Sequence, residues 1–169
     1  PVHLSDVDIP FNLDLIENTG ENKGYFNITA SYDTVTNNKK ARINYNVSPR
    51  TQYTITNVTF PADSTVLSQE IQKTVAKTLL KVNEPFDLAV VKAERERIDA
   101  SLKENGFYYF DPDNLIIQVD STEVKHQVSL NVKVKDNTPE LAQKQFTIDK
   151  IYIFSDYNLR TTRNRRNLV

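Results

Sequence analysis

The sequence predicts an α+β fold built from β-α-α-β-β units in tandem, each unit a three-stranded sheet packed on two helices. Three observations predict it. The segment Gln52-Tyr-Thr-Ile-Thr-Asn-Val-Thr-Phe60 recurs as Gln145-Phe-Thr-Ile-Asp-Lys-Ile-Tyr-Ile153, and self-similarity of this kind marks an array of supersecondary units. A second pair, Asn22-Lys-Gly-Tyr-Phe-Asn27 and Glu104-Asn-Gly-Phe-Tyr-Tyr109, ends a helical pattern with a polar residue and a glycine and then opens a strand with aromatics. Between the two copies of the first motif the hydrophobic period runs from two to about 3.6 and back to two, which reads as strand, helix, helix, strand, strand.

The opening strand covers 52–60 and is closed by Pro61. Tyr53 and Ile55 alternate, the phase breaks across a polar pair, and Val58 and Phe60 resume it; Phe146, Ile148, Ile151 and Ile153 repeat the pattern. One extra residue reverses the face that later side chains occupy, so both copies predict a bulged strand. Asp63 or Ser64 then caps a helix with Leu67, Ile71, Val75 and Leu79 on one side, broken by Lys81 to Pro85. Asp87 caps a second helix, expected to turn Leu88, Val91, Ile98 and Leu102 inward and Glu94, Arg95, Glu96, Arg97 and Lys103 outward before stopping at Asn105-Gly106. Leu115, Ile117 and Val119 alternate in the next strand, while Val128, Leu130, Val132 and Val134 alternate with polar residues in the last, which has one dry and one wet face.

Residues ahead of this unit match the back part of another. Asp8 caps a helix carrying Phe11, Leu15 and Ile16, Gly24-Tyr-Phe opens a strand through Ile28, Ala30 and Tyr32, Asn37 to Lys40 form a turn, and Ile43, Tyr45 and Val47 alternate in the returning strand. The chain therefore divides into 1–49, the C-terminal part of one unit; 50–137, a complete unit; and 138–169, the first strand and start of a following one. It reads as a cut through a tandem array.

Composition narrows the chemistry. The chain has 169 residues, 38% hydrophobic and 25% charged, with a net charge of −1, the profile of a globular protein. Without cysteine there is no disulfide framework, thiolate metal site or thiol nucleophile. His3 and His126 are the only imidazoles, and three glycines (Gly20, Gly24, Gly106) cannot form a phosphate-cradling loop. No cofactor is expected. No run is long and apolar enough for a membrane-spanning helix. Arg160, Arg163, Arg165 and Arg166 concentrate positive charge in the tail, so the rest of the chain is net acidic, which argues against nucleic acid as the partner.

The unit order, the Gly24-Tyr-Phe and Gly106-Phe-Tyr junctions, and an aromatic-Thr-Ile strand following directly on the preceding unit resemble tandem POTRA domains of the BamA and TamA-like surface antigens, over residues 1 to 158. Val82 through Asp99, with Asn-Glu-Pro-Phe-Asp and Glu-Arg-Glu-Arg-Ile, resembles the start of that family's second helix and is close to its Bacteroidetes-type members. Where the family usually carries glycine this chain has Asn83, which is expected in a left-handed conformation.

The resemblance implies a non-enzymatic periplasmic arm of an outer-membrane protein whose C-terminal barrel lies outside this sequence. Its partners would be unfolded outer-membrane or secreted chains, accessory assembly proteins and neighbouring modules, and its task outer-membrane protein assembly or translocation. It also implies that the strand after the second helix receives a partner strand: Leu115, Ile116, Ile117, Gln118, Val119 and Asp120. Ile116 breaks the alternation there and is expected to face away from the core. Exposed edge backbone groups favour strand addition on physical grounds as well. The alternative is a structural spacer or docking module of another secretion or envelope complex.

Other candidates have plainer readings. Glu94-Arg-Glu-Arg97 reads as a solvated helix face, because residues two apart on a helix do not converge into a carboxylate pair. His126 is expected in a solvated turn. Three Asp-Ser/Thr triplets, at Asp33, Asp63 and Asp120, resemble an O-glycosylation signal, with the first and third expected in hairpin turns; ordinary cap and turn roles explain them better.

Overall fold

The computed structural model describes residues 3–121 and 125–153. It is α+β, with a two-stranded and a three-stranded sheet. Helix α1 (Ile9–Asn22) precedes an antiparallel hairpin of β1 (Thr29–Asn37) and β2 (Lys40–Ser48). Then come β3 (Thr54–Thr59), α2 (Val66–Thr74), α3 (Leu88–Glu104), β4 (Leu115–Asp120) and β5 (Gln127–Val134).

The three-stranded sheet runs β3-β5-β4, so the last strand lies in the middle, parallel to β3 and antiparallel to β4. The β3–β5 register shifts between Ile55 and Asn57, which is the bulge the sequence phase break predicts. Leu115, Val128, Leu130 and Val132 from the sheet meet Leu67, Ile71, Ile98 and Leu102 from the helices in one buried core, closed by Phe107 and Phe110. Burial of each such side chain is worth roughly 1.5–3 kcal/mol, so this layer supplies most of the cohesion of residues 54–134.

The first helix of this unit departs from expectation. Its N-cap is Thr65, whose hydroxyl accepts from the Ser68 N–H (3.2 Å). Asp63 lies one step back and fastens the turn by accepting from the Thr65 backbone and hydroxyl and from the Ser68 hydroxyl. The helix also ends early: α2 stops at Thr74 and passes through a 3-10 turn, Val75–Lys77. Leu80 enters the core instead of Leu79, which is exposed. The cause lies on α3. The Thr78 hydroxyl (2.8 Å) and Leu79 N–H (2.9 Å) donate to the Glu94 carboxylate, drawing the chain off the helix axis.

Glu94 is the main correction to the sequence reading of α3. It is not solvated but fully buried (0% exposed), held also by Arg97 through Nε (2.9 Å) and Nη2 (2.8 Å). Asp87 caps α3 as expected, accepting from the Ala89 N–H at 2.8 Å. Asn83 sits at φ +69°, the left-handed turn anticipated for it.

No residue of α1, β1 or β2 is buried, and Phe11 and Leu15 of the expected apolar stripe are exposed. Among the described residues this helix and hairpin have no counterpart of the second helix and third strand that close the core of 54–134. Their order is held by polar ties: Asn12 Nδ2 to the Tyr45 hydroxyl (2.9 Å) and the Ala30 N–H to Glu17 Oε1 (2.7 Å). The hairpin turns at Asn38 and Lys39, both at positive φ. Asp33 is not in that turn but mid-strand in β1, where its carboxylate accepts from Asn44 (2.8 Å) and Asn46 (3.0 Å) across the pair.

Candidate functional site

The sheet has two edges, and the chain treats them differently. At the entry of β3 the backbone of 83–86 covers the outer side: the Ile55 N–H donates to Glu84 O (2.9 Å), Asn83 N–H to Ile55 O (2.7 Å) and Phe86 N–H to Tyr53 O (2.9 Å), with an antiparallel bridge between Thr54 and Pro85. Left-handed Asn83 makes this return possible. Strand β4 has β5 on one side and no strand on the other among the described residues. The predicted docking residues Leu115 to Asp120 are thus one continuous strand at the sheet edge.

Their side chains split as the alternation dictates. Leu115 is buried and Ile117 half-buried toward the helices, while Ile116 is 40% exposed on the opposite face, where it lies across from Lys133. Val119 is 41% exposed although in phase with the core. The beginning of β4 is aimed by Arg95. Its guanidinium donates twice to Pro112 O (3.0 and 2.7 Å) and pairs with Asp113 (2.7 Å), fixing the 3-10 turn Pro112–Asn114 that leads into the strand. An edge pinned at its entry, with an apolar side chain beside exposed backbone, suits the addition of an extended peptide.

Gly24 and Gly106, the predicted junctions, both have positive φ, +83° and +91°. Both end their helices in a Schellman turn. The Gly24 and Tyr25 N–H groups return to Glu21 O and Gly20 O, as those of Gly106 and Phe107 return to Lys103 O and Leu102 O. The two junctions do not converge with the β4 edge into one site.

His126 is not in open solvent. It is half-buried at φ +60°, with its ring edge-on to Tyr53 (centroids 5.4 Å apart) and its Nδ1 buried without a hydrogen-bond partner among the described residues. Among the described residues no group of His, Asp and Glu is arranged to hold a metal ion, and no helix is long and apolar enough to cross a membrane. The arginine tail and Thr122 of the third triplet lie outside the described residues, and Asp63 of the second serves the α2 cap.

Sequence reasoning missed Glu94 and the capped edge of β3. Glu94 carries a signal: it falls between Val91 and Ile98, in the phase of the apolar stripe, where a charge is either buried or misplaced. The covering of β3 by 83–86 has no comparable signature beyond Asn83.

No protein-family model matches the chain, and no curated protein does. Among solved structures, BamA from Haemophilus ducreyi lacking POTRA domains 1–3 is similar over 74% of this chain, with a TM-score of 0.46 and 14% identity; the chain spans 23% of that structure.

Proposed function

We propose that the chain is a run of POTRA-like modules, divided at 1–49, 50–137 and 138–169, whose task is to bind extended polypeptide segments by strand addition at β4. The observation that carries the reading is the asymmetry of the sheet: residues 83–86 pair with the entry of β3 at 53–55, whereas among the described residues no strand pairs with the outer side of β4, beside which Ile116 is exposed. Main-chain hydrogen bonds would supply affinity without reading the partner's sequence, and Ile116 would select apolar side chains at alternate positions. That suits unfolded outer-membrane or secreted chains, and accessory assembly proteins offering a strand. The corresponding location is the periplasm, as the arm of an outer-membrane barrel protein, and the role is non-enzymatic.

The duplicated glycine turns favour a second reading, a spacer that presents modules in fixed order to a constant partner. Titration of the 15N-labelled chain with peptides copied from outer-membrane β-strands separates the two. Strand addition shifts the amides of Leu115 to Val119, and Ile116→Asp weakens binding. Shifts elsewhere with 115–120 unmoved refute the docking edge, while binding to no peptide favours the spacer.

A further inference from the structure

The two repeated sequence motifs meet each other, and they do so twice in the same way. A Schellman turn leaves the carbonyls of its cap residue and of its glycine without partners in the helix. At the end of α1 these are Lys23 O and Gly24 O. The Gln52 carboxamide donates to the first (2.8 Å) and the Tyr53 N–H to the second (2.9 Å). At the end of α3 they are Asn105 O and Gly106 O, and Gln145 (2.8 Å) and the Phe146 N–H (2.7 Å) supply the same two bonds. An aromatic contact accompanies each: Phe26 on Tyr53 at 5.0 Å and Tyr109 on Phe146 at 5.2 Å.

Glycine is required at both positions for two reasons. Positive φ is one. The other is space, since a Cβ on Gly24 would stand 2.8 Å from Phe86 O and a Cβ on Gly106 2.5 Å from Phe146 O. The first turn also carries a charge pair, Lys23 with Asp87 (2.7 Å), and Phe26 reaches Phe86 at 5.2 Å.

We propose that each helix-ending glycine turn is a docking surface for an extended segment of the form Gln-aromatic, and that this clip is the joint fixing each module to the opening strand of the next. The glutamine and the aromatic N–H satisfy the two carbonyls that the turn leaves over; the missing Cβ admits the incoming backbone itself at Gly106 and, at Gly24, the backbone of Phe86 that pairs with Tyr53. The inference rests on the tandem reading for what the joint connects; the clip itself stands on the paired bonds. It also explains why Gln and an aromatic residue head both copies of the motif: they belong to the joint, whereas Thr54-Ile55 continues into β3 and the expected second strand, 147–153, is not formed among the described residues.

Amide exchange and residual dipolar couplings of the whole chain test it. In the unaltered protein the Tyr53 and Phe146 amides exchange slowly, and one alignment tensor fits residues 9–48 and 54–134. Gln52→Ala speeds exchange at Tyr53, and Gln145→Ala at Phe146, by about fivefold, the equivalent of one ordinary hydrogen bond. The Val132 amide stays as protected as before, which reports that the core remains folded. Gly24→Ala splits the alignment into two tensors. Unchanged exchange in both glutamine variants, or a single tensor in Gly24→Ala, overturns the joint and leaves the tandem reading standing. Fast exchange at Phe146 in the unaltered chain overturns the joint and also the assignment of 138–169 to a following module.

Discussion

Removing the Glu94 carboxylate tests whether this buried charge sets the end of α2. Glu94→Ala takes the acceptor from three donors at once: the Leu79 N–H, the Thr78 hydroxyl and the Arg97 guanidinium. Breaking a buried ion pair from one side costs roughly 3–5 kcal/mol. The Arg97 side chain is 19% exposed and also bonds the Thr74 hydroxyl, so it relaxes toward water and the lower end applies, about 3 kcal/mol. Glu94→Gln keeps the shape and one acceptor oxygen but turns an NH2 toward Arg97 or the Leu79 N–H; about 1.5 kcal/mol is expected, half the alanine figure. With a urea slope of about 1.5 kcal/mol/M, the midpoint falls by about 2 M for alanine and about 1 M for glutamine, and the Leu79 amide loses protection in both. An alanine shift below about 0.5 M, or an unchanged Leu79 amide, refutes the account of why α2 stops at Thr74.

The same carboxylate adds a pH signature. Burial pushes its pKa up, but Arg97, the Leu79 N–H and the Thr78 hydroxyl together bring it below the ordinary 4.5. The folded protein therefore holds this proton less tightly than the unfolded chain does. That stability is fully present above the unfolded pKa and is lost as pH falls through the folded one, so the gap between the unaltered protein and Glu94→Gln narrows on acidification.

Three further outcomes follow from residues described above. Asp63 is drawn down to about 2 by the Thr65 and Ser68 hydroxyls and the Thr65 N–H; its contribution to the α2 cap holds above an unfolded pKa of 3.8 and fades toward pH 2, and NMR titration of the Asp63 carboxyl locates the midpoint. Asn83→Ala, at φ +69°, costs about 1 kcal/mol in urea unfolding whereas Asn83→Gly stays near neutral, because alanine meets the left-handed Cβ penalty without the short polar side chain that lets asparagine tolerate it, and glycine has no Cβ. Phe107→Ala empties a fully buried site at the foot of α3 and costs about 3–5 kcal/mol; a loss under about 1 kcal/mol means the core closes without it.

Periodicity was readable wherever one layer alone decides burial. Val128, Leu130 and Val132 go inward because β5 has helices over one face only, and Asp8, Asp87, Gly24 and Gly106 mark their helix ends by local chemistry that needs no partner. Even the β3 bulge is written in a phase change. What escaped depends on contacts distant in sequence. Leu79 fits the α2 stripe, yet Glu94 pulls it off the helix; Phe11 and Leu15 fit the α1 stripe, yet no layer among the described residues closes over them. His126 gave no sign that it lies against Tyr53. At the candidate edge, the strand and the outward Ile116 were legible from alternation, whereas the covering of the other edge by 83–86 was not, since a loop that pairs with a strand has no period to read.

The position of β5 has a consequence for the order of assembly. As the central strand of the sheet but its last in sequence, it supplies both ladders: Thr54 faces Gln127, and Leu115 faces Val134. A chain that emerges N-terminus first can form α2 and α3 but no sheet, because β3 and β4 have nothing between them. Closing the β3–β5 loop is the slow, entropically expensive step. The unit stays pliable until residue 134 is free and then closes on both sides at once.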